Sequence, residues 1–136
     1  MKITTKGRYA LRVMIDLAQH EGEGYISLKE IAQRQGISMK YLESIVSLLN
    51  KAGELSSQRG KDGGYKLIRP ASEYTIAQIL KLSEGSLTPV ACLDYGTDNC
   101  EKSADCITLP MWRKLDGVIE AYLDSVTLEN LIKREV

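Results

Sequence analysis

Residues 27–43, Ser27-Leu-Lys-Glu30-Ile-Ala-Gln-Arg-Gln-Gly36-Ile37-Ser38-Met-Lys40-Tyr41-Leu-Glu43, decide the fold. Ser27 and Glu30 have capping-box spacing: the hydroxyl takes the amide three residues on, and the acid reaches back. The short helix they open carries Leu28, Ile31 and Ala32 on one face. Gly36 ends it, because glycine enters the left-handed conformation without steric cost. Ile37 reads as a buried plug in the turn, and Ser38 as the N-cap of a second helix from Met39 to Ala52. Leu42, Ile45, Val46 and Leu49 give that helix an apolar stripe. Helix, tight glycine turn and capped helix make a helix-turn-helix, whose second helix enters a DNA major groove. Met39, Lys40, Tyr41 and Glu43 lie off the stripe near its N-terminus and are expected to face base edges, with the Ser38 hydroxyl beside them.

Working outward, Gly53 closes the second helix, and Leu55–Gln58 and Tyr65–Arg69 read as short strands. Their connection, Arg59-Gly60-Lys61-Asp62-Gly63-Gly64, has the glycines of a hairpin turn. A basic, glycine-tipped hairpin after a helix-turn-helix is a wing, with Arg59 and Lys61 set for phosphate or minor-groove contact. The expected fold class is therefore mainly α with a small β-hairpin wing, a winged helix-turn-helix followed by a long C-terminal dimerisation helix. Upstream, Tyr9, Ala10, Val13, Met14, Leu17 and Ala18 predict an amphipathic helix over about residues 6–20, with Lys2, Lys6, Arg8 and Arg12 at its start. His20, the single histidine, reads as a surface residue at its end. Downstream, Thr75 and Gln78 form another capping box, opening a helix that buries Ile76, Ile79, Leu80 and Leu82 and ends at Glu84-Gly85.

The 136 residues fit one domain, and the formal net charge of zero hides an asymmetry. Residues 1–70 hold 12 Lys and Arg against 7 Asp and Glu, whereas residues 71–136 hold 6 against 11. A basic first half is the footprint expected of a surface that meets phosphate. No apolar run approaches the roughly 20 residues that span a bilayer, and Met1 to Arg8 lacks a signal-peptide core. The expected location is the cytoplasm, with reduced thiols and no membrane partner.

All three cysteines, Cys92, Cys100 and Cys106, fall in one polar stretch with the spacing C-x7-C-x5-C. Thiolates are natural iron–sulfur ligands, and three within fifteen residues can converge on one site. A structural zinc site would need a fourth ligand and the usual close cysteine pairs, which do not occur here. A metal-free thiol switch and three idle cysteines are the plainer alternatives. An enzyme using these thiols is a poor reading, since no base lies near them, His20 is remote and no G-x-G-x-x-G fingerprint occurs. Pro110 suits the first turn of a long helix. Leu109, Trp112, Leu115, Ile119 and Tyr122 recur on one face, widened by Val118 and Leu123, so a partner helix is the simplest cover. Thr127 and Asn130 cap a last short helix. The expected divisions are a DNA-binding domain at 1–85, a cysteine-containing loop at 86–108, and a dimerisation helix with a short terminal helix at 109–136.

In this order the parts resemble the winged-helix repressors of the IscR, NsrR and CymR family, over essentially the whole chain. The specific pieces are Thr5-Lys-Gly-Arg-Tyr-Ala10, Gln35-Gly-Ile-Ser38 with Tyr41-Leu-Glu43, and Arg59-Gly60 with Gly63-Gly-Tyr65. The resemblance implies a homodimer crossed through the long helix and bound to a palindromic operator in double-stranded DNA. It places Ser38, Lys40, Tyr41 and Glu43 in the groove, and Arg59, with Gly60, Lys61 and Gly63, on the wing. It also implies that Cys92, Cys100 and Cys106 hold an iron–sulfur cluster, [2Fe–2S] ahead of [4Fe–4S]. One departure concerns the fourth ligand: the IscR-type pattern has a histidine three residues after the last cysteine, where this chain has Leu109. The Cys92 to Cys100 spacing is also two residues longer than in that branch. Nitric-oxide-sensing relatives take an acid from the partner's first helix, but that position here is Arg8. The fourth ligand stays open between a loop acid (Asp94, Asp98, Glu101 or Asp105), a partner residue and an exogenous molecule. The CymR branch works without a cluster, which makes a partner-controlled or thiol-oxidised repressor of sulfur metabolism the alternative function.

Overall fold

The computed structural model describes residues 2–94, 101 and 104–136. Helix α1 spans Thr5–Gln19, capped by the Thr4 hydroxyl, which accepts the Gly7 amide at 3.3 Å. Its buried face contains Ala10, Val13, Met14, Leu17 and Ala18, as the helical spacing predicts. Helix α2 (Leu28–Gln35) starts at Ser27, whose hydroxyl accepts the Glu30 amide at 3.2 Å. The exposed Glu30 side chain does not return the bond, so half of the expected box forms. Gly36 is left-handed at φ 63°, and Ile37 is buried in the turn as the plug. Helix α3 (Met39–Lys51) is capped by Ser38, which accepts the Tyr41 amide at 3.2 Å, and buries Leu42, Ile45, Val46 and Leu49.

Strands β1 (Leu55–Gln58) and β2 (Gly64–Leu67) pair antiparallel, with Leu55 opposite Leu67 and Gln58 opposite Gly64. Residues 59–63 form the tip. Strand β2 starts one residue earlier and ends two earlier than the apolar run suggests, because pairing stops where the chain turns into Tyr74's hydrogen bond. The other edge of the hairpin is not free. Ile26 bridges Tyr65 through a pair of 2.9 Å backbone bonds, tying the wing to the entry of α2. Gly64 permits this, since a Cβ there would overlap the Ile26 carbonyl.

A single turn at Ala71–Glu73 leads to α4 (Ile76–Glu84), opened by the complete Thr75–Gln78 capping box. Helix α4 packs on α1; Ile76, Ile79 and Leu80 are buried, and Leu82 is half-buried. After Gly85 the chain buries Leu87 and forms α5 (Ala91–Asp94), which carries Cys92. Helix α6 runs from Leu109 to Ser125, with Pro110 in its first turn. The chain then returns: Val126 accepts the Ile76 amide, the Leu128 amide donates to Tyr74, and Thr75 bridges Thr127. Helix α7 (Leu128–Lys133) therefore closes against α1 and the turn at 71–73, and Leu128 is fully buried.

The expected α6 stripe is divided. Leu109 is buried, and Trp112, Ile119 and Leu123 are half-buried on the side that meets α4. Met111, Leu115, Val118 and Tyr122 stand exposed instead, Val118 at 55% and Tyr122 at 58%. One helix thus serves its own core and leaves a second apolar edge open.

Candidate nucleic-acid interface and cysteine loop

At the N-terminal end of α3, Ser38, Lys40 and Glu43 are exposed and Tyr41 is half-buried. Met39 is 43% exposed, which keeps an apolar side chain among them. Tyr41 is held from behind: the Tyr9 ring of α1 meets it edge-on at 5.7 Å between centroids. The Arg12 guanidinium lies 5.1 Å from the Tyr9 centroid. Arg12 is also occupied, donating to the Gln35 side chain at 3.1 Å and to the Gln35 carbonyl. Arg8 donates to the Thr5 hydroxyl, whereas Lys2 is exposed. Of the four basic residues expected to meet phosphate at the start of α1, Arg12 is thus engaged within the fold, with Gln35 and Tyr9.

The wing presents Arg59, Gly60 and Lys61 exposed at its tip, with Gly63 half-buried behind them. Two anchors hold it. One is the Ile26 bridge; the other is Tyr74, 1% exposed, whose hydroxyl accepts the Ile68 amide at 3.0 Å and donates to the Glu54 carbonyl at 2.8 Å. Arg69 stacks 4.3 Å from the Tyr74 centroid and pairs with Glu54 at 2.5 Å. No local pattern singles out Tyr74, which sits between a connector and a cap; a large aromatic just before a helix start is its one sequence signal.

A second unread residue fixes the helix-turn-helix to α1. Asp16 is buried on the apolar side of α1 and receives two bonds from Arg34, at 2.7 and 3.0 Å, and one from Gln35 at 2.9 Å. Burial pushes its carboxyl pKa up, but the bonds from Arg34 and Gln35 and the charges of Arg34 and His20 outweigh that and hold it below the usual value. His20 is half-buried rather than exposed, because Nδ1 donates to the Asp16 carbonyl at 2.7 Å.

In the cysteine loop, Cys92 and Cys106 are free, half-buried thiols, while Cys100 and Asp98 lie outside the described residues. The Thr108 hydroxyl, 3.5 Å from Cys106 Sγ, holds that thiol below its ordinary pKa and so favours the thiolate. Among the described residues no three His, Cys, Asp or Glu side chains converge to hold a metal. The donor chemistry nevertheless fits an iron–sulfur group: two unpaired thiols, one biased towards thiolate, in a loop with a third cysteine. Of the acids, Asp94 is engaged, accepting from the Ser86 and Thr88 hydroxyls, and Glu101 and Asp105 are exposed. Leu109, at the histidine position of the IscR pattern, is buried in the fold.

Comparison with known proteins agrees with this architecture. The Rrf2 family model, described as an iron-dependent transcriptional regulator, matches residues 3–134. The chain is 40% identical over 135 residues to the HTH-type transcriptional regulator IscR of Photorhabdus laumondii, covering 99% of this chain and 81% of that protein. Among solved structures it is similar to CymR, the global cysteine regulator of B. subtilis, with TM-score 0.81, 39% identity and 98% of both chains covered. It is similar also to T. potens IscR, with TM-score 0.78, 40% identity, and coverage of 100% of this chain and 89% of that one. Among the described residues no helix is long and apolar enough to cross a membrane. A helix-turn-helix, a tethered basic wing and matches over nearly the full length agree: the chain belongs to the Rrf2 family of winged helix-turn-helix transcriptional regulators.

Proposed function

We propose that this regulator is a homodimeric repressor whose binding to a palindromic operator is set by an iron–sulfur cluster on Cys92, Cys100 and Cys106. The observation that carries the reading is the pairing of an exposed reading end, Ser38, Lys40 and Glu43 with Arg59 and Lys61 on the wing, with free loop thiols between that half and α6. Lys40 and Tyr41 donate to base edges or phosphates, Glu43 accepts from cytosine N4, and Arg59 and Lys61 neutralise phosphate from the wing. Gly60 and Gly63 let the wing backbone come close to the duplex. A second copy covers Met111, Leu115, Val118 and Tyr122, and its two-fold axis matches the operator's symmetry.

When bound, the cluster supplies redox chemistry and a tie between the thiolates, with [2Fe–2S] favoured over [4Fe–4S]. The chain's own part is to favour the thiolate of Cys106 through the Thr108 hydroxyl and to keep Asp94 with Ser86 and Thr88. A second reading is a cluster-free regulator of cysteine or sulfur metabolism, governed by a partner enzyme or by thiol oxidation. It is favoured by the buried leucine at the fourth-ligand position and by the similarity to B. subtilis CymR. Anaerobic purification with an absorption spectrum and iron and sulfide assays tests the choice. A brown protein with stoichiometric iron and sulfide is expected; a colourless, iron-free protein that binds its operator would move the assignment to the second reading.

A further inference from the structure

The last residue of α4 before the cysteine loop, Glu84, is bound to the first turn of α1. Its Oε1 accepts the Thr4 amide at 3.1 Å and the Thr4 hydroxyl at 2.6 Å, across 80 residues of sequence. The site is built for this contact: a Cβ at Gly7 would overlap the same oxygen, and Gly7 itself is buried. An anion at a helix N-terminus also meets the positive end of the helix dipole. No other acid occupies the first turn of α1.

Contacts continue in both directions. Towards the loop, Gly85 separates Glu84 from Ser86, which together with Thr88 donates to Asp94 on the helix carrying Cys92. Towards the DNA side, α1 carries Tyr9, whose ring meets Tyr41 of α3 at 5.7 Å. Cysteine segment, Ser86, Glu84, α1 and Tyr41 thus form one connected series, joined by hydrogen bonds and ring packing except at Gly85, where the link is the backbone itself.

We infer that Glu84 is the positioning residue through which the state of the cysteine loop reaches the reading helix. A change in the loop that displaces Gly85 pulls the carboxylate from Thr4, tilts the first turns of α1 and shifts the Tyr9 ring against Tyr41. The inference rests on the proposed control of operator binding by the loop. It requires that both sites bias one element, here the seating of α1.

The test uses the full-length protein and duplexes enriched by the wild-type protein from a random-sequence library. Operator Kd is measured for the metal-free protein and for protein reconstituted anaerobically with iron and sulfide, in wild type, Glu84→Gln and Gly7→Ala. Gly7→Ala drives the flexible end of Glu84 away and otherwise crowds just the Ile3 side chain, at 3.2 Å, so it remains informative if Glu84→Gln folds poorly. Amide exchange in the metal-free protein is the second readout. The expected result is a wild-type ratio of the two Kd values of about fivefold or more, collapsing to about one in both variants. Exchange at Tyr41 is expected to speed up together with exchange at Gly7 and Arg8. Variants that keep the wild-type ratio, or change exchange at Gly7 and Arg8 alone, overturn the inference and leave loop control standing. A wild-type ratio of one at every class of enriched duplex overturns both.

Discussion

Asp16 on α1 and Arg34 on α2 form a two-point ion pair at 2.7 and 3.0 Å, with the carboxylate side chain 1% exposed. The pair ties α2 of the helix-turn-helix to α1. Arg34 keeps a third of its side chain in solvent, so its charge is only partly stranded if Asp16 is lost. Asp16→Ala should therefore cost roughly 2–3 kcal/mol in denaturant unfolding, at or below the lower end for breaking a buried pair.

The same carboxylate predicts an acid dependence. Its folded-state pKa lies below the ordinary value of 3.8, so its contribution is fully present above about that pH and is lost as pH falls through the folded value. Wild-type stability should fall on acidification below pH 4 more steeply than that of Asp16→Asn. Parallel curves would remove Asp16 from the acid response.

Tyr74→Phe removes the hydroxyl that joins the Ile68 amide to the Glu54 carbonyl. The loss should be about 1–2 kcal/mol of stability, since two backbone groups lose a partner. It should also accelerate exchange at Ile68 and weaken operator binding while leaving α3 protected.

These two anchors mark where sequence reading stops. Capping signals at Ser27, Ser38, Thr75 and Thr127, the left-handed Gly36 and the stripe Leu42, Ile45, Val46, Leu49 were all legible, because each acts within a few residues of itself. Asp16 was not, since a hydrophobic period passes over an acid whose partner lies eighteen residues away. The Ile26–Tyr65 bridge, the Thr75–Thr127 bridge and the Glu84–Thr4 bond have no local signal for the same reason. The division of the α6 face was hidden too, because periodicity gives a stripe's width but not which edge meets the chain's own core. The exposure of Ser38, Lys40, Glu43, Arg59 and Lys61 is legible from helix and turn spacing, whereas no spacing names a fourth ligand beside Cys92, Cys100 and Cys106.

On the DNA side, Arg59→Ala should weaken binding to all sequences and lower the magnitude of the salt slope by about 1, as expected for one lost phosphate contact. Glu43→Ala should instead broaden the sequence preference, because an acid repels sites that lack a donor at that position. Binding selections across a salt series separate the two effects; an unchanged logo for Glu43→Ala would remove its discriminating role.

Val118→Glu places a charge within the exposed edge of α6 beside Leu115 and Tyr122. If a second copy covers that edge, sedimentation should find a dimer for wild type and a monomer for the variant, with normal helicity. Affinity for a palindrome should fall far more than affinity for a half-site.

The central claim, that the loop thiols control operator binding, is tested most directly by operator affinity in the triple variant Cys92→Ala, Cys100→Ala, Cys106→Ala. It is measured anaerobically beside wild type reconstituted with iron and sulfide, across the sites selected by each. The account predicts that the variant differs in affinity by about fivefold or more at one or more classes of site. Equal Kd values at every site would contradict it.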